Sequence, residues 1–187
     1  MVETDFEMAK LHCTNLSSTD LVGTFLEDAS LSRANLIGAK LNGCHLSGSQ
    51  LMGASLFAAD LSRSSVFLVD FTGARLNETL FLGSDLRSVD FSQAKLEGSN
   101  FDGAILDSVT FDTLTGLKKV SFKGTALKHT DFRSLDEGDL PWDNTFGDVN
   151  VELPKGVKRP SHWPDQQISY DEFQERRRDW IASQIRQ

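Results

Sequence analysis

Every fifth residue from Phe6 to Phe111 is Leu, Phe or Val: 22 consecutive positions, made up of fifteen Leu, six Phe and Val66. Two residues before each stands a small or slim side chain, from Thr4 and Ala9 through Ala29, Ala34 and Cys44 to Ala104 and Val109. Neither column contains Asp, Glu, Lys, Arg or Asn. The places between them are mostly polar. A period of five excludes both regular elements as the carrier. Five residues advance an α-helix by about 500°, so the apolar column would wander over every face. On a flat strand an odd period sends alternate members to opposite faces. The pattern predicts a chain that turns a corner every five residues and returns the same column to the interior. Small residues two places earlier fit the crowded space beside it.

The number of sides can also be read from the letters. Phe71, Phe91 and Phe111 lie 20 apart, with Val69, Val89 and Val109 at the same step, and Phe81 and Phe101 repeat it. Matched bulky pairs every 20 residues mean four pentapeptides per turn. After Phe111 the column resumes at Leu117, Phe122, Leu127 and Phe132, so one residue is inserted around Asp112–Gly116. The 26 units make about 6.5 coils. At roughly 4.8 Å between strands the stack is about 30 Å long.

The units Ala34-Asn35-Leu36-Ile37-Gly38, Ala59-Asp60-Leu61-Ser62-Arg63 and Ala94-Lys95-Leu96-Glu97-Gly98 resemble the A(D/N)LXX consensus of the pentapeptide-repeat family. The likeness runs over roughly residues 4–134. It implies an all-β solenoid, a right-handed quadrilateral parallel β-helix, here with a short C-terminal α-helix. The expected organisation is β-helix over 1–134, an irregular cap over 135–167 and an amphipathic helix over 168–187.

Beyond Phe132 the composition changes. Residues 133–167 hold all four prolines together with Trp142 and Trp163. The last coil of a solenoid needs cover, and Trp142, Phe146, Leu153 and Trp163 are expected to supply it. Ser169 and Glu172 then form a capping-box pattern, with Ile168 placed to staple onto Phe173. Phe173, Trp180, Ile181 and Ile185 follow on one face, and Arg176, Arg177 and Arg178 are read as its solvent side. The helix is expected to cap its own chain; the alternative is pairing with a second subunit, as C-terminal helices do in topoisomerase-protecting members of the family. The first coil, with Phe6 and Leu11, invites end-to-end pairing, so a homodimer through a solenoid end or the helix is expected.

Composition then narrows the function. A formal net charge of -8 argues against direct nucleic-acid binding. No apolar run is long enough for a membrane span and the opening residues lack a signal-peptide core, which reads as a cytoplasmic protein. Cys13 and Cys44 are not in CxxC spacing, and His12, His45, His129 and His162 follow no metal-ligand spacing. No cofactor, metal or catalytic grouping is expected, and a tube filled with Leu and Phe leaves no interior pocket. Surface stripes remain. Asp70, Asp90 and Asp131 recur on one face, and Asp85 and Asp107 on another. Phe67, Leu68, Leu80 and Leu82 belong to one coil and are expected to meet around a corner as an apolar contact patch.

The expected function is a non-catalytic scaffold that binds a protein partner through its faces. The family resemblance implies an alternative: rows of carboxylates on a rod of duplex width would imitate DNA toward a type II topoisomerase such as gyrase. The long loops of several quinolone-protecting relatives are missing from residues 4–111. A self-assembling structural rod is the third reading.

Overall fold

The computed structural model describes residues 4–135 and 140–185. The chain winds as a four-sided coil whose rungs stack in parallel. One face carries a five-stranded parallel sheet in the order β1 (Ser65–Phe67), β2 (Asp85–Arg87), β3 (Ile105–Asp107), β4 (Ala126–Lys128) and β5 (Phe146–Gly147). Single parallel bridges extend this first face back through His45 and Phe25 to Asp5. The second face is the ladder Lys10, Ser30, Gln50, Asp70, Asp90, Thr110, Asp131, Glu152. The third runs through Asn15, Asn35, Ser55, Arg75, Lys95 and Gly116, and the fourth through Asp20, Lys40, Asp60, Leu80, Asn100 and Ser121.

Each corner follows from the pentapeptide. The residue three after an inward Leu donates its N–H back to that residue's carbonyl, as Ala34 does to Leu31 at 2.9 Å. The residue between, two after the centre, sits in the left-handed region, with φ of 58° at Arg33 and 69° at Gly48. Non-glycine residues resist that conformation, which accounts for the single glycines in this column. At Gly48 a Cβ would also run into the Asp28 carboxylate. The rung spacing is 20 as far as Asp90–Thr110, then 21 for Lys95–Gly116, Asn100–Ser121 and Thr110–Asp131. Asp112 absorbs the extra residue: its Oδ1 accepts from the N–H groups of Gln93 and Leu114 and from the Thr115 hydroxyl.

Inside, identical side chains stack. Phe71, Phe91, Phe111 and Phe132 form one column with ring centroids 5.3, 5.6 and 5.4 Å apart. Phe81, Phe101 and Phe122 form a second, at 4.7 and 5.2 Å. The columns meet edge to face, as Phe81 does with Phe91 at 5.9 Å. Buried hydroxyls in the small-residue column tie coils together: Ser64, Thr79 and Ser84 donate to the carbonyls of Leu41, Leu56 and Leu61, each at 2.8 Å. Thr79→Val keeps the shape and loses one such bond. The Leu56 carbonyl still accepts from Ala59, so the expected loss is about 1 kcal/mol in urea unfolding; a loss beyond about 3 kcal/mol would mean the carbonyl had been orphaned.

At the C-terminal end Trp142 stands edge-on to Phe132 at 5.0 Å, and Trp163 is buried with Nε1 donating to the Thr145 carbonyl at 2.8 Å. Phe146 differs from the expectation that it closes the tube. It pairs with Ala126 in β5, in the outward column of the first face, and is buried because the helix α1 (Tyr170–Ile185) lies over it.

Candidate interaction surfaces

The aspartate column of the second face has a local cause. Asp70 Oδ1 accepts from the Thr72 N–H at 2.8 Å, and Asp90 Oδ1 does the same for Ser92 at 2.8 Å. Asp60 and Asp131 repeat the arrangement toward Ser62 and Arg133. A carboxylate or amide at this place folds back onto its own backbone two residues on, so Asp and Asn recur for the turn itself. The ladder nevertheless sets Asp70 directly beside Asp90 on adjacent rungs.

The other three carboxylates of the stripes are neutralised. Asp131 is paired with Arg133 at 2.6 Å, and that hydrogen bond holds its carboxyl below the ordinary range. Asp85 and Arg87, at the two ends of β2, form a two-pronged pair at 2.8 and 2.7 Å. Asp107, at the end of β3, lies 2.9 Å from His129 Nδ1 and 3.6 Å from Lys128 Nζ. Burial works against its ionised form, but the His129 hydrogen bond and the Lys128 charge outweigh it and hold the carboxyl below its ordinary value. The structure therefore brings Asp70 and Asp90 together and sets Asp85, Asp107 and Asp131 in ion pairs.

The apolar patch is divided. Phe67 ends β1 and Leu68 follows it, 43% and 56% exposed. Leu80 is a rung of the fourth-face ladder and Leu82 lies two residues on. The outward column of Ser65 and Asp85 stands between the two pairs, so they do not form one surface. Leu82 instead borders a shallow groove of about 480 Å³ with Val22, Asn42, Asp60 and Arg63.

The helix α1 begins where Ser169 Oγ accepts from the Glu172 N–H at 3.2 Å. Phe173 packs on Phe146 with ring centroids 5.1 Å apart, and Ile168, Ile105 and Trp180 border the same cluster. Trp180 stacks on His162 at 4.7 Å, and His162 Nε2 donates to the Thr145 carbonyl at 2.6 Å. Ile181 is half-buried, while the side chain of Ile185 lies outside the described residues. Arg176 and Arg178 face solvent, but Arg177 does not: it is 8% exposed and reaches the solenoid. Its four-residue spacing from Phe173 and Ile181 is the sequence signal for this contact, and its charge points the other way.

Both cysteines are free. Cys44 is an inward residue whose burial pushes its thiol up to about 12. Cys13 is exposed. Iodoacetamide at pH 8 should therefore add one label per folded chain, at Cys13, read by peptide mass spectrometry; rapid labelling of Cys44 would show that the tube opens. Among the described residues no group of three His, Cys, Asp or Glu is placed to hold a metal ion, and no helix is long and apolar enough to cross a membrane.

A filled four-sided β-helix built from stacked pentapeptides defines a repeat scaffold. The family model for pentapeptide repeats (eight copies) matches residues 9–48, 29–65 and 68–111, and the chain belongs to that family. Its fold class is the right-handed quadrilateral β-helix with a short C-terminal helix. HetL, a pentapeptide repeat protein involved in heterocyst differentiation regulation from the cyanobacterium Nostoc sp. strain PCC 7120, is similar over 89% of this chain and 75% of its own, with TM-score 0.65 and 24% identity. A pentapeptide repeat protein of the Arabidopsis thaliana thylakoid lumen is 26% identical with TM-score 0.52, over 54% of this chain and 70% of that one. A trypsin-treated variant of QnrB1, a plasmid-mediated fluoroquinolone resistance protein, gives TM-score 0.56 at 14% identity, over 78% of this chain and 87% of its own. No curated protein sequence matches significantly.

Proposed function

We propose that this chain is a non-catalytic scaffold that binds a protein partner through the outer faces of its β-helix. The observation that carries the reading is the interior: Leu, Phe and Val fill the inward column from Leu21 to Phe132, none more than 7% exposed. Recognition is left to rigid, ladder-ordered side chains outside, and such faces suit protein contact at little cost in ordering. The test is affinity capture from an extract of the source organism, with the native chain, an Asp70→Lys/Asp90→Lys variant and a Phe67→Asp/Leu68→Asp variant. A specific partner held by the native chain and lost in one variant would support the reading and assign the face. Loss of no partner in either variant would count against recognition through these faces, and turnover of a substrate would sink the non-catalytic claim.

One observation favours a second reading, DNA mimicry toward a type II topoisomerase. Asp70 and Asp90 lie on adjacent rungs and neither is in a described ion pair. This reading predicts altered gyrase supercoiling at stoichiometric protein, weakened by the Asp70→Lys/Asp90→Lys change. An unaltered supercoiling assay with the native chain removes it.

A further inference from the structure

Arg177 is a buried cation with no carboxylate partner among the described residues. Its Nη2 donates to the carbonyls of Gly103 at 2.8 Å and Gly124 at 2.7 Å, with Ala104 further off at 3.4 Å; Nε adds a longer bond to Gly124. Gly103 and Gly124 are successive rungs of the corner leading from the fourth face to the first. Their carbonyls accept from no backbone N–H among the described bonds. The corner thus presents stacked, unused acceptors, and a planar guanidinium is the side chain that can bridge several of them. Burial lowers the Arg177 pKa, outweighing the opposing influence of Tyr170.

Around this contact the helix is seated by Phe173 on Phe146 and by Trp180 on His162, with Lys128 over the Tyr170 and Phe173 rings. Only Phe173 and Arg177 of its described side chains are buried. The Gln174 Nε2 is buried with no hydrogen-bond partner among the described residues. A groove of about 380 Å³ stays open beside Trp180 and Ile181, against Gly103, Lys123, Gly124 and Asn144. A 16-residue helix is marginal by itself, so its hold on the solenoid rests on the Arg177 bonds, Phe173 on Phe146 and Trp180 on His162. A peripheral element held this way can open below the global stability.

We propose that α1 is a displaceable plug, and that the corner of Gly103 and Gly124 beside Ala126 and Phe146 is a docking groove for an arginine-bearing amphipathic helix of a partner protein. The occupant's chemistry is written in α1 itself: an aromatic residue, an arginine four positions later, and apolar residues three and four beyond that, as in Phe173, Arg177, Trp180 and Ile181. An apolar residue in place of Gln174 would seat such a helix better than α1 seats, since the unpartnered amide would go. A second copy's α1 is the weaker competitor, because the tether through residues 147–169 keeps each chain's own helix at a high local concentration. The proposal rests on the scaffold reading and names its partner's recognition element.

The probe is a fluorescein-labelled synthetic peptide of residues 168–185, titrated into the full-length chain and followed by anisotropy. Full-length Arg177→Ala, whose own helix has lost its anchor, should bind the peptide at least about tenfold more tightly than the native chain, in which tethered α1 competes. Hydrogen exchange over 170–185 should rise in that variant while the solenoid stays protected. A peptide carrying Gln174→Leu should bind more tightly than the parent, and one carrying Arg177→Ala should not bind at the same concentrations. If Arg177→Ala does not fold, Arg177→Lys, which keeps the charge and loses the fork, carries the same expectation. Equal binding by variant and native chains, equal binding of the arginine-free peptide, or a helix-exchanged dimer of the native chain at micromolar concentration would overturn the proposal. Such a failure leaves the capture experiment on the outer faces untouched, so the two readings fall separately.

Discussion

Phe91→Asp is expected to give no soluble β-rich protein, whereas Phe91→Ala should fold with stability lowered by about 3–5 kcal/mol. Phe91 has no exposure and sits where both aromatic columns meet. It stacks between Phe71 and Phe111 at 5.3 and 5.6 Å and takes the edges of Phe81 and Phe101, each at 5.9 Å. An alanine there removes the ring from four aromatic neighbours, and a rigid coil cannot collapse to fill the gap. An aspartate also places a carboxylate where no cation or donor can reach it. That penalty exceeds the whole stability of a typical domain, about 5–15 kcal/mol, unless the group protonates. The lesion should also spread, because each coil is stabilised mainly by its two neighbours. Far-UV circular dichroism and urea unfolding read both variants. A folded Phe91→Asp chain would contradict the stacked interior.

The same nearest-neighbour physics explains why the β-helix is legible in the letters, while of the tail the helix is legible and its contacts with the solenoid are not. Within the coil the stacking contacts recur 20 residues away, or 21 past the inserted residue, so side chains that stack in space also repeat in sequence, and Phe71, Phe91 and Phe111 announce the number of sides. The turn chemistry is as local, with Asp70 bonded two residues on. Arg177 binds carbonyls 53 and 74 residues earlier, and no period links it to Gly124 or Gly103. In the sequence its charge points to solvent and its helical spacing to the solenoid, and only the fold decides between them. Phe146 was misplaced for a related reason: outside the repeat nothing in the sequence marks it as a fifth strand, and only the pairing with Ala126 does so. The ion pairs of the acidic residues differ in the same way: Asp85 and Asp131 meet arginines two residues on, whereas Asp107 meets Lys128 and His129 one coil away, across the inserted residue. The apolar residues of one coil looked contiguous because the sequence does not show that a full column of Ser65 and Asp85 separates them.

The C-terminal cover allows a sharper test, since one glycine and one tryptophan there act as a unit. The Trp163 ring lies so close over Gly147 that a Cβ at Gly147 would overlap three of its carbons. The backbone at Gly147 is not left-handed, so conformational strain does not enter and the ring supplies the three nearest clashes. Trp163 is further held by its bond to Thr145 and by the Arg159 guanidinium 5.3 Å from the ring. Arg159 in turn donates to the carbonyls of Asp148 and Val151. Gly147→Ala should therefore cost about 1–3 kcal/mol by displacing the ring, and Trp163→Ala about 3–5 kcal/mol by removing it. With the ring gone the three closest contacts of the added methyl are gone too, so the double variant should be no less stable than Trp163→Ala alone. The shortfall from additivity should equal nearly the whole Gly147→Ala effect, well above the roughly 0.5 kcal/mol within which independent sites add. Urea unfolding of the four chains measures the cycle. Additive losses would mean that Gly147 is required by the β4–β5 pairing itself, and that the tryptophan does not close the coil from above it.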